Sequence, residues 1–249
     1  MFDRRLFLLG SAGALAAARL PESLLDRAIR RAGGAHALRN ARLLRWRGRA
    51  SIFAGPRRIE IGVSTRVIPF RAARSDSWLL SEGPSKQRSL IIEPSGGWVE
   101  RAGVRTPLPD AVVRHERAQY AIYGLMLLLP LTEAGASARP GPDPDTLMAS
   151  HPDAPPTLLG FDRDARLASA ANSVPDPQGK GLVTQRFTFS GEIGDGGLRW
   201  PRRLRIDQGG RPWFDLQLTD FQVADDDRAD VDPAAAGTHA DNQGMTRLA

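Results

Sequence analysis

The segment that comes nearest to a catalytic motif is "HERAQ", which runs from His115 to Gln119. Zinc proteases carry His-Glu-x-x-His on a helix, because histidines four residues apart project two imidazoles from one helix face onto the metal. Here the second ligand position is Gln119, and the other histidines, His36, His151 and His239, fall in a predicted helix, a loop and a tail. We therefore predict no metal site and interpret "HERAQ" as a solvated helix face.

Other patterns that could carry chemistry are incomplete or missing. The acidic run "DDDRADVD", residues 225–232, lacks the glycine and the final glutamate of an EF-hand calcium loop. The motifs G-x-S-x-G, G-x-x-x-x-G-K and G-x-G-x-x-G do not occur, and the chain has no cysteine, which excludes disulfides, thiol catalysis and a lipid-modified cysteine. An acid–base pair of carboxylates that come from distant strands is the alternative left open, but no motif points to such a pair. The sequence predicts no catalytic residue and no cofactor.

The first eighteen residues have the order of parts of an export signal. Arg4 and Arg5 precede an uncharged apolar run from Leu6 to Ala18 that ends in an Ala-x-Ala pattern. At ~1.5 Å per helical residue this run is too short to cross a hydrocarbon core of about 30 Å. The stretch "DRRLFLL" resembles a twin-arginine signal, with Asp3 where Ser or Thr is commoner. We expect cleavage near Ala18 and a soluble periplasmic product; an ordinary amphipathic first helix is the alternative.

The charge of the chain is positive, and arginine supplies nearly all of it. The formal net charge is +6, and Lys86 and Lys180 are the only lysines among 34 basic residues. No helix-turn-helix, zinc finger or aromatic RNA-binding motif accompanies this charge, so we expect no nucleic-acid partner.

The chain after the signal predicts a short helical start followed by a β-meander. Residues 21–44 show helical spacing that is interrupted at Gly33 and Gly34. From residue 44 the period of apolar residues changes to two, and residues 44–52 and 59–67 predict an antiparallel hairpin. Three further strand-like segments follow up to about residue 103.

The middle of the chain predicts a hydrophobic helix and a second meander. Asp110 caps the helix, Gly124 interrupts it, and Pro130 ends it. Residues 132–156 are rich in proline, glycine and alanine and predict a long irregular connection. Strands resume at residue 157, and residues 224–249 predict a disordered tail. We expect one domain over residues 19–223.

This arrangement resembles the LolA-like group of periplasmic lipoprotein-sorting and lipid-binding proteins over about residues 24–223. The resemblance lies in the order of elements and in the weak motifs "GGxxAL" and "WPxxLxI", present here as "GGAHAL" and "WPRRLRI". It implies a mainly β fold of the α+β type, in which a strongly curved antiparallel sheet forms an incomplete barrel and helices cover its concave face. The group offers no catalytic signature to carry over. Its receptor member has an N-terminal cysteine, which this chain lacks.

The resemblance and the hydrophobic pattern together suggest a pocket between helix and sheet. The candidate pocket and lid residues are aromatic or aliphatic: Trp46, Ile61, Trp78, Trp98, Tyr120, Tyr123, Met126, Leu127, Phe187, Phe189 and Trp200. A candidate basic rim consists of Arg45, Arg47, Arg49 and Arg66, which would suit anionic headgroups or an acidic partner. Arginine as the ordinary outward residue of a strand, and a tightly packed core in place of a pocket, are the alternatives.

The function that follows is a non-catalytic carrier or binding protein for a lipid, a lipoprotein acyl chain or another hydrophobic ligand. An enzyme that uses the same cavity, or a structural protein of the cell envelope, is the alternative. The expected partners are lipid or acyl chains, with a cell-envelope protein and peripheral membrane contact as further candidates, and the expected state is a monomer. We also expect residues 120–156 to be the most mobile part of the domain and to open for the ligand.

Overall fold

The computed structural model describes residues 22–224. The predicted export signal, residues 1–18, lies outside the described residues, as does the predicted tail apart from Ala224. Within residues 22–224 no helix combines the length and the apolar character needed to span a membrane.

The described part of the chain contains three α-helices: α1 (Leu24–Arg31), α2 (Gly34–Asn40) and α3 (Asp110–Leu125). Two short 3-10 turns occupy Pro84–Lys86 and Leu129–Thr132. Ser23 caps α1 by accepting a hydrogen bond from the Asp26 backbone N–H at 3.1 Å. The predicted helix over residues 21–44 is therefore two short helices, because the chain turns at Ala32 and Gly33.

Fifteen strands make up the rest of the described chain. In order they are β1 (Leu43–Ala54), β2 (Arg57–Ile68), β3 (Ala72–Leu79), β4 (Arg88–Glu93), β5 (Gly96–Arg101), β6 (Val104–Pro107), β7 (Ser137–Pro140), β8 (Thr146–His151), β9 (Ala154–Phe161), β10 (Leu167–Pro175), β11 (Leu182–Ser190), β12 (Ile193–Asp195), β13 (Leu198–Trp200), β14 (Arg203–Gln208) and β15 (Arg211–Ala224).

Thirteen of these strands form one antiparallel sheet that is not closed into a barrel. Its order is β6-β5-β4-β3-β2-β1-β15-β14-β11-β10-β9-β8-β7, and β12 and β13 form a separate hairpin. The first meander runs outward from β1 to one edge, and the second returns from the other edge to β15, which pairs with β1. The predicted fold class, mainly β with a strongly curved antiparallel sheet, is confirmed.

The two faces of the central strands follow from alternation in the sequence. In β1, Leu44, Trp46 and Ala50 are buried on the concave face, whereas Arg47 and Arg49 are exposed on the convex face. The predicted hairpin is confirmed, since β1 pairs with β2 over eleven residues from Leu44↔Val67 to Ala54↔Arg57.

The position of α3 follows from the strand order. Strands β6 and β7 are consecutive in the chain but lie at opposite edges of the sheet, so the connection between them must pass from one edge to the other. Helix α3 makes this crossing over the concave face and contacts β4 and β5 on one side and β9 and β10 on the other. The helix thus covers the concave face of the sheet.

Two expectations about the helix and the segment after it are wrong. Gly124 does not interrupt α3, which continues to Leu125 and ends before Pro130. The segment 132–156 is not one irregular connection, because β7, β8 and the start of β9 lie within it and belong to the large sheet.

Candidate functional site

A cavity of about 140 Å³ lies between α3 and the concave face of the sheet, and we call it the α3 cavity. Its aromatic floor and cover meet where the rings of Trp46 and Tyr123 lie 4.8 Å apart at 51°. Apolar lining residues are Trp46, Ile52, Ile61, Val63, Leu90, Tyr123, Ile206, Trp213, Phe214 and Leu216. Polar lining residues are Thr65, Ser75, Ser77, Arg88, Glu116, Gln119 and Tyr120.

The side of α3 that covers this cavity is set by helical spacing. Glu116, Tyr120 and Tyr123 are separated by four and three residues, which places them on one helix face. The cover therefore presents two phenol rings and one carboxyl group to the cavity.

The mouth of the cavity carries an exposed tryptophan. Ile206 of β14 pairs with Phe214, and the next residue, Asp207, pairs with Pro212, so Trp213 is an extra residue in β15 at a β-bulge. A bulge re-aims the side chains around it. Trp213 lines the cavity and is 40% exposed, so a large aromatic surface is open to solvent at the entrance.

Glu116 is the acidic group of the cavity. Burial raises the pKa of its carboxyl to about 7, and the nearby positive charge of Arg88 opposes this rise. Burial also raises the pKa values of Tyr120 and Tyr123, and the negative charge of Glu116 adds to both shifts. The two phenols therefore stay neutral near neutral pH, and Glu116 is the cavity group that changes charge there.

The neighbouring residues of the "HERAQ" segment do not form a catalytic pair with Glu116. His115 is buried, contrary to the expected solvated face, and its Nδ1–H donates to the Pro175 carbonyl at 2.7 Å. Gln119 accepts a hydrogen bond at 2.9 Å from Nε2 of Gln185, a fully buried residue of β11. Within residues 22–224 no group of three His, Asp or Glu side chains is arranged to hold a metal ion.

Comparison with known proteins gives similarity in structure alone. No protein-family model and no curated protein matches the sequence. A domain described as outer membrane lipoprotein-sorting, from Vibrio parahaemolyticus, superposes with a TM-score of 0.50 at 7% identity, covering 86% of this chain and 95% of that one. The fold is LolA-like. A LolA superfamily protein from Nitrosomonas europaea has a TM-score of 0.49 at 11% identity, covering 80% and 91% of the two chains.

The LolA-like half-barrel does not gather the predicted pocket residues into one space. Trp46, Ile61, Tyr120 and Tyr123 line the α3 cavity. A second cavity of about 270 Å³, beside α1, is lined in part by Met126, Phe189 and Trp200. Leu127 is buried along an open cleft next to α2, and Phe187 is fully buried in the core.

Two predicted wall residues, Trp78 and Trp98, lie on the convex face of the LolA-like sheet. The Trp78 ring covers Gly62, where a β-carbon would come within 2.3 Å of the ring. Trp98 pairs with Ile91, which pairs with Arg74, a residue on the same outer face. Alternation along β3 and β5 therefore turns both indoles away from the α3 cavity.

The candidate basic rim lies on the convex face as well. Arg45 pairs with Arg66, and Arg66 pairs with Arg74, so three arginines stand side by side across β1, β2 and β3. Arg47 and Arg49 are exposed further along β1. These side chains do not border the α3 cavity.

A buried ionic network extends this row of arginines. Arg74 is 3% exposed and donates from Nε to Asp76 at 3.0 Å and from a terminal nitrogen to Ser89 at 2.9 Å and to Glu100 at 3.3 Å. The network joins β3, β4 and β5 on the outer face of the LolA-like sheet.

Of the seventeen residues that line the α3 cavity, the sequence analysis named four as pocket residues, Trp46, Ile61, Tyr120 and Tyr123, and missed the rest, among them Leu90, Glu116 and Trp213. For Glu116 a signal was available, because its spacing to Tyr120 and Tyr123 places it on the helix face that turns inward. For Trp213 there was none, since strict alternation along β15 puts it opposite Phe214 and only the bulge brings it to the cavity.

Proposed function

We propose that this protein is an exported carrier that binds a lipid, an acyl chain or another hydrophobic ligand in the α3 cavity and does not transform it. The observation that carries the proposal is a cavity covered by α3, lined by ten aromatic or aliphatic residues and seven polar ones, which opens to solvent beside the partly exposed Trp213. Exposed aromatic surface at the mouth of a mainly apolar cavity favours a ligand with a large apolar part. The lipoprotein-sorting description of the structural neighbour agrees with this function.

The size of the cavity bears on how it would work. About 140 Å³ is close to the roughly 150 Å³ cavity that admits a benzene-sized molecule. A long acyl chain would therefore need α3 to move away from the floor, or would leave part of its length outside the cavity. The proposed carrier opens its cover as the ligand enters.

Export is part of this proposal. Arg4 and Arg5 followed by a short apolar run and Ala-x-Ala support it. The proposed location is the periplasm, the proposed state is a monomer, and cell-envelope proteins or the membrane surface are proposed as places of delivery.

One observation favours the enzyme alternative, namely Glu116. A carboxyl with a pKa of about 7 in a cavity has the properties of a general acid or base. Its neighbour on the helix, His115, is however turned to Pro175 and does not pair with it, and burial keeps the two tyrosines of the cavity neutral. The carrier therefore accounts for more of the cavity than the enzyme does.

The test is binding of the hydrophobic dye N-phenylnaphthylamine to the full chain, followed by displacement with a fatty alcohol. We expect saturable dye binding, quenching of tryptophan fluorescence, and an affinity that falls severalfold in Trp213→Ala. The matched control is Leu182→Ala, which removes another exposed apolar side chain, 71% exposed and outside the cavity lining, and leaves binding unchanged. Absence of saturable binding, or equal loss in both variants, would overturn the carrier function.

A further inference from the structure

The hydrogen-bonding groups of the α3 cavity differ in what they can offer a ligand. No group among residues 22–224 donates a hydrogen bond to the Glu116 carboxyl, and Arg88 influences it without forming an ion pair. Gln119 also lines the cavity, and because its Oε1 accepts from Gln185, its NH₂ group is the part left to donate to a ligand. An ionised carboxylate can only accept. Among the lining residues, Glu116 is therefore the acidic group, and its ionised form favours a donor or a cation on the ligand over the neutral contacts that Gln119 can make.

The aromatic rings near Glu116 also favour a positively charged group on the ligand. The rings of Trp46, Tyr123 and Trp213 line the same cavity, and aromatic faces attract cations. The neutral hydroxyls of Thr65, Ser75 and Ser77 oppose neither a cation nor a neutral donor. Within the cavity, then, the charge and the ring quadrupoles favour a positive group.

Arg88 is the group that opposes a cation and would attract an anion. Its side chain is exposed at the edge of the cavity, where water and salt weaken its field. A ligand carboxylate paired with Arg88 would stay in this screened zone, whereas a ligand amine beside Glu116 would lie inside the cavity. Arg88 of β4 is the charged group that acts on the Glu116 carboxyl, and the Glu116 charge in turn acts on Tyr120 and Tyr123 of α3.

We infer that the α3 cavity selects an amphiphile whose polar end is an N–H-bearing ammonium group, with Glu116 as the residue that binds it. This inference rests on the proposed carrier function and adds the chemical class of the ligand's polar end. A charge-assisted hydrogen bond from the ammonium to the carboxylate holds the polar end. The alkyl part lies along Trp46, Ile61 and Phe214 and leaves past Trp213.

The experiment compares four ligands that share one alkyl chain: dodecylamine, dodecyltrimethylammonium, dodecanol and dodecanoate. Each is titrated into the full chain, below its own aggregation concentration and near pH 8, with tryptophan fluorescence and calorimetry as readouts. We expect dodecylamine to bind at least about tenfold more tightly than dodecanoate, which corresponds to one charged hydrogen bond. Dodecyltrimethylammonium, which has the charge but no N–H, should bind less tightly than dodecylamine.

Two variants assign the preference to its residue. Glu116→Gln keeps the shape of the side chain and should lower dodecylamine affinity about tenfold while leaving dodecanol affinity unchanged. The matched control is Glu82→Gln, which removes an exposed carboxyl group outside the cavity lining and should leave dodecylamine affinity unchanged. Circular dichroism and a thermal melt confirm that both variants are folded.

The contrary outcomes separate this inference from the function on which it rests. If no ligand binds, the carrier function fails. If all four bind equally and Glu116→Gln changes nothing, the carrier stands and the inference is overturned. Preferred binding of dodecanoate that is lost in Arg88→Gln also overturns it, and equal binding of the trimethylammonium ligand removes the N–H requirement.

Discussion

The Phe70 ring lies flat against the His151 imidazole, with centroids 3.9 Å apart and planes at 8°. Phe70 belongs to the turn between β2 and β3, and His151 ends β8, so the stack joins the two meanders at one end of the half-barrel. The same phenyl ring faces Gly124 of α3, where a β-carbon would come within 2.5 Å of it. This end of α3 is therefore packed tightly, and Gly124 serves close packing where the sequence suggested a hinge.

A double-mutant cycle tests this packing. Alanine favours helix by up to about 1 kcal/mol over glycine, so Gly124→Ala would stabilise α3 if space allowed. Because the added methyl meets Phe70, we expect a net loss of about 1–3 kcal/mol in the free energy of unfolding measured with urea. In a Phe70→Ala background the same change should be neutral or stabilising. Equal effects in both backgrounds would contradict the contact.

Stability should depend on pH through Glu116. Burial raises the pKa of this carboxyl from its ordinary 4.5 to about 7, so between these values the folded chain holds a proton that the unfolded chain has released. The contribution is present at low pH and is lost as pH rises through 7. We expect Glu116→Gln to match the wild type near pH 4.5 and to exceed its stability by up to about 3 kcal/mol near pH 8.

Urea unfolding at several pH values measures this difference. Titratable groups elsewhere contribute equally to the free energy of unfolding of both proteins, so their contributions cancel in the comparison. A constant difference across the range would show that the Glu116 carboxyl has its ordinary pKa in the folded protein.

Removal of Arg74 should destabilise the fold strongly. Its guanidinium is buried with Asp76, and Arg74→Leu would remove the cation that is hydrogen-bonded to that carboxylate, itself 7% exposed. A loss of about 3–5 kcal/mol is typical when one member of a buried pair is removed. Arg203 offers the control, because its two hydrogen bonds to Asp215 lie at the surface and Arg203→Ala should cost no more than about 1 kcal/mol. Similar losses in the two variants would be inconsistent with a special role for burial.

Hydrogen exchange can locate the part of the cover that moves. The last five residues of α3, 121–125, are all buried, whereas residues 110–120 are a mixture of buried, half-buried and exposed positions. We expect amides of residues 111–119 to exchange faster than those of residues 121–125, and added dodecylamine to slow the former. If all these amides exchange slowly and added dodecylamine changes none of the rates, the expectation that α3 opens over the cavity is wrong. The mobility expected for residues 120–156 stays a prediction, but β7 and β8 remove the irregular connection on which it was based.

The sheet could be foreseen from the sequence because its central strands alternate cleanly. In β1, for example, apolar Trp46 and charged Arg47 are adjacent, so the first is assigned to the buried face and the second to the exposed face. Strands β7 and β8 could not be foreseen, because they are short edge and near-edge strands in a segment rich in proline and glycine, where pairing with β9 and not local propensity decides the structure.

The sequence predicts the part of α3 that covers the cavity and the centre of the cavity floor, but it does not predict where the cavity ends. The contact of Trp46 with Tyr123 could be expected from the hydrophobic pattern, because one belongs to the apolar face of β1 and the other to α3, and these two apolar surfaces must pack together. Trp78 and Trp98 were expected in the pocket on the strength of residue type, but the side of a strand on which a residue lies depends on register, and register placed both outside.

The two edge strands determine how this open sheet behaves toward copies of itself. Strands β6 and β7 are four residues each, and they end on Pro107 and Pro140, which have no backbone N–H to donate. An uncovered edge is a template on which another chain can add a strand, and short edges interrupted by proline are poor templates for such growth. The sheet can therefore remain open and still resist polymerising edge to edge into aggregates.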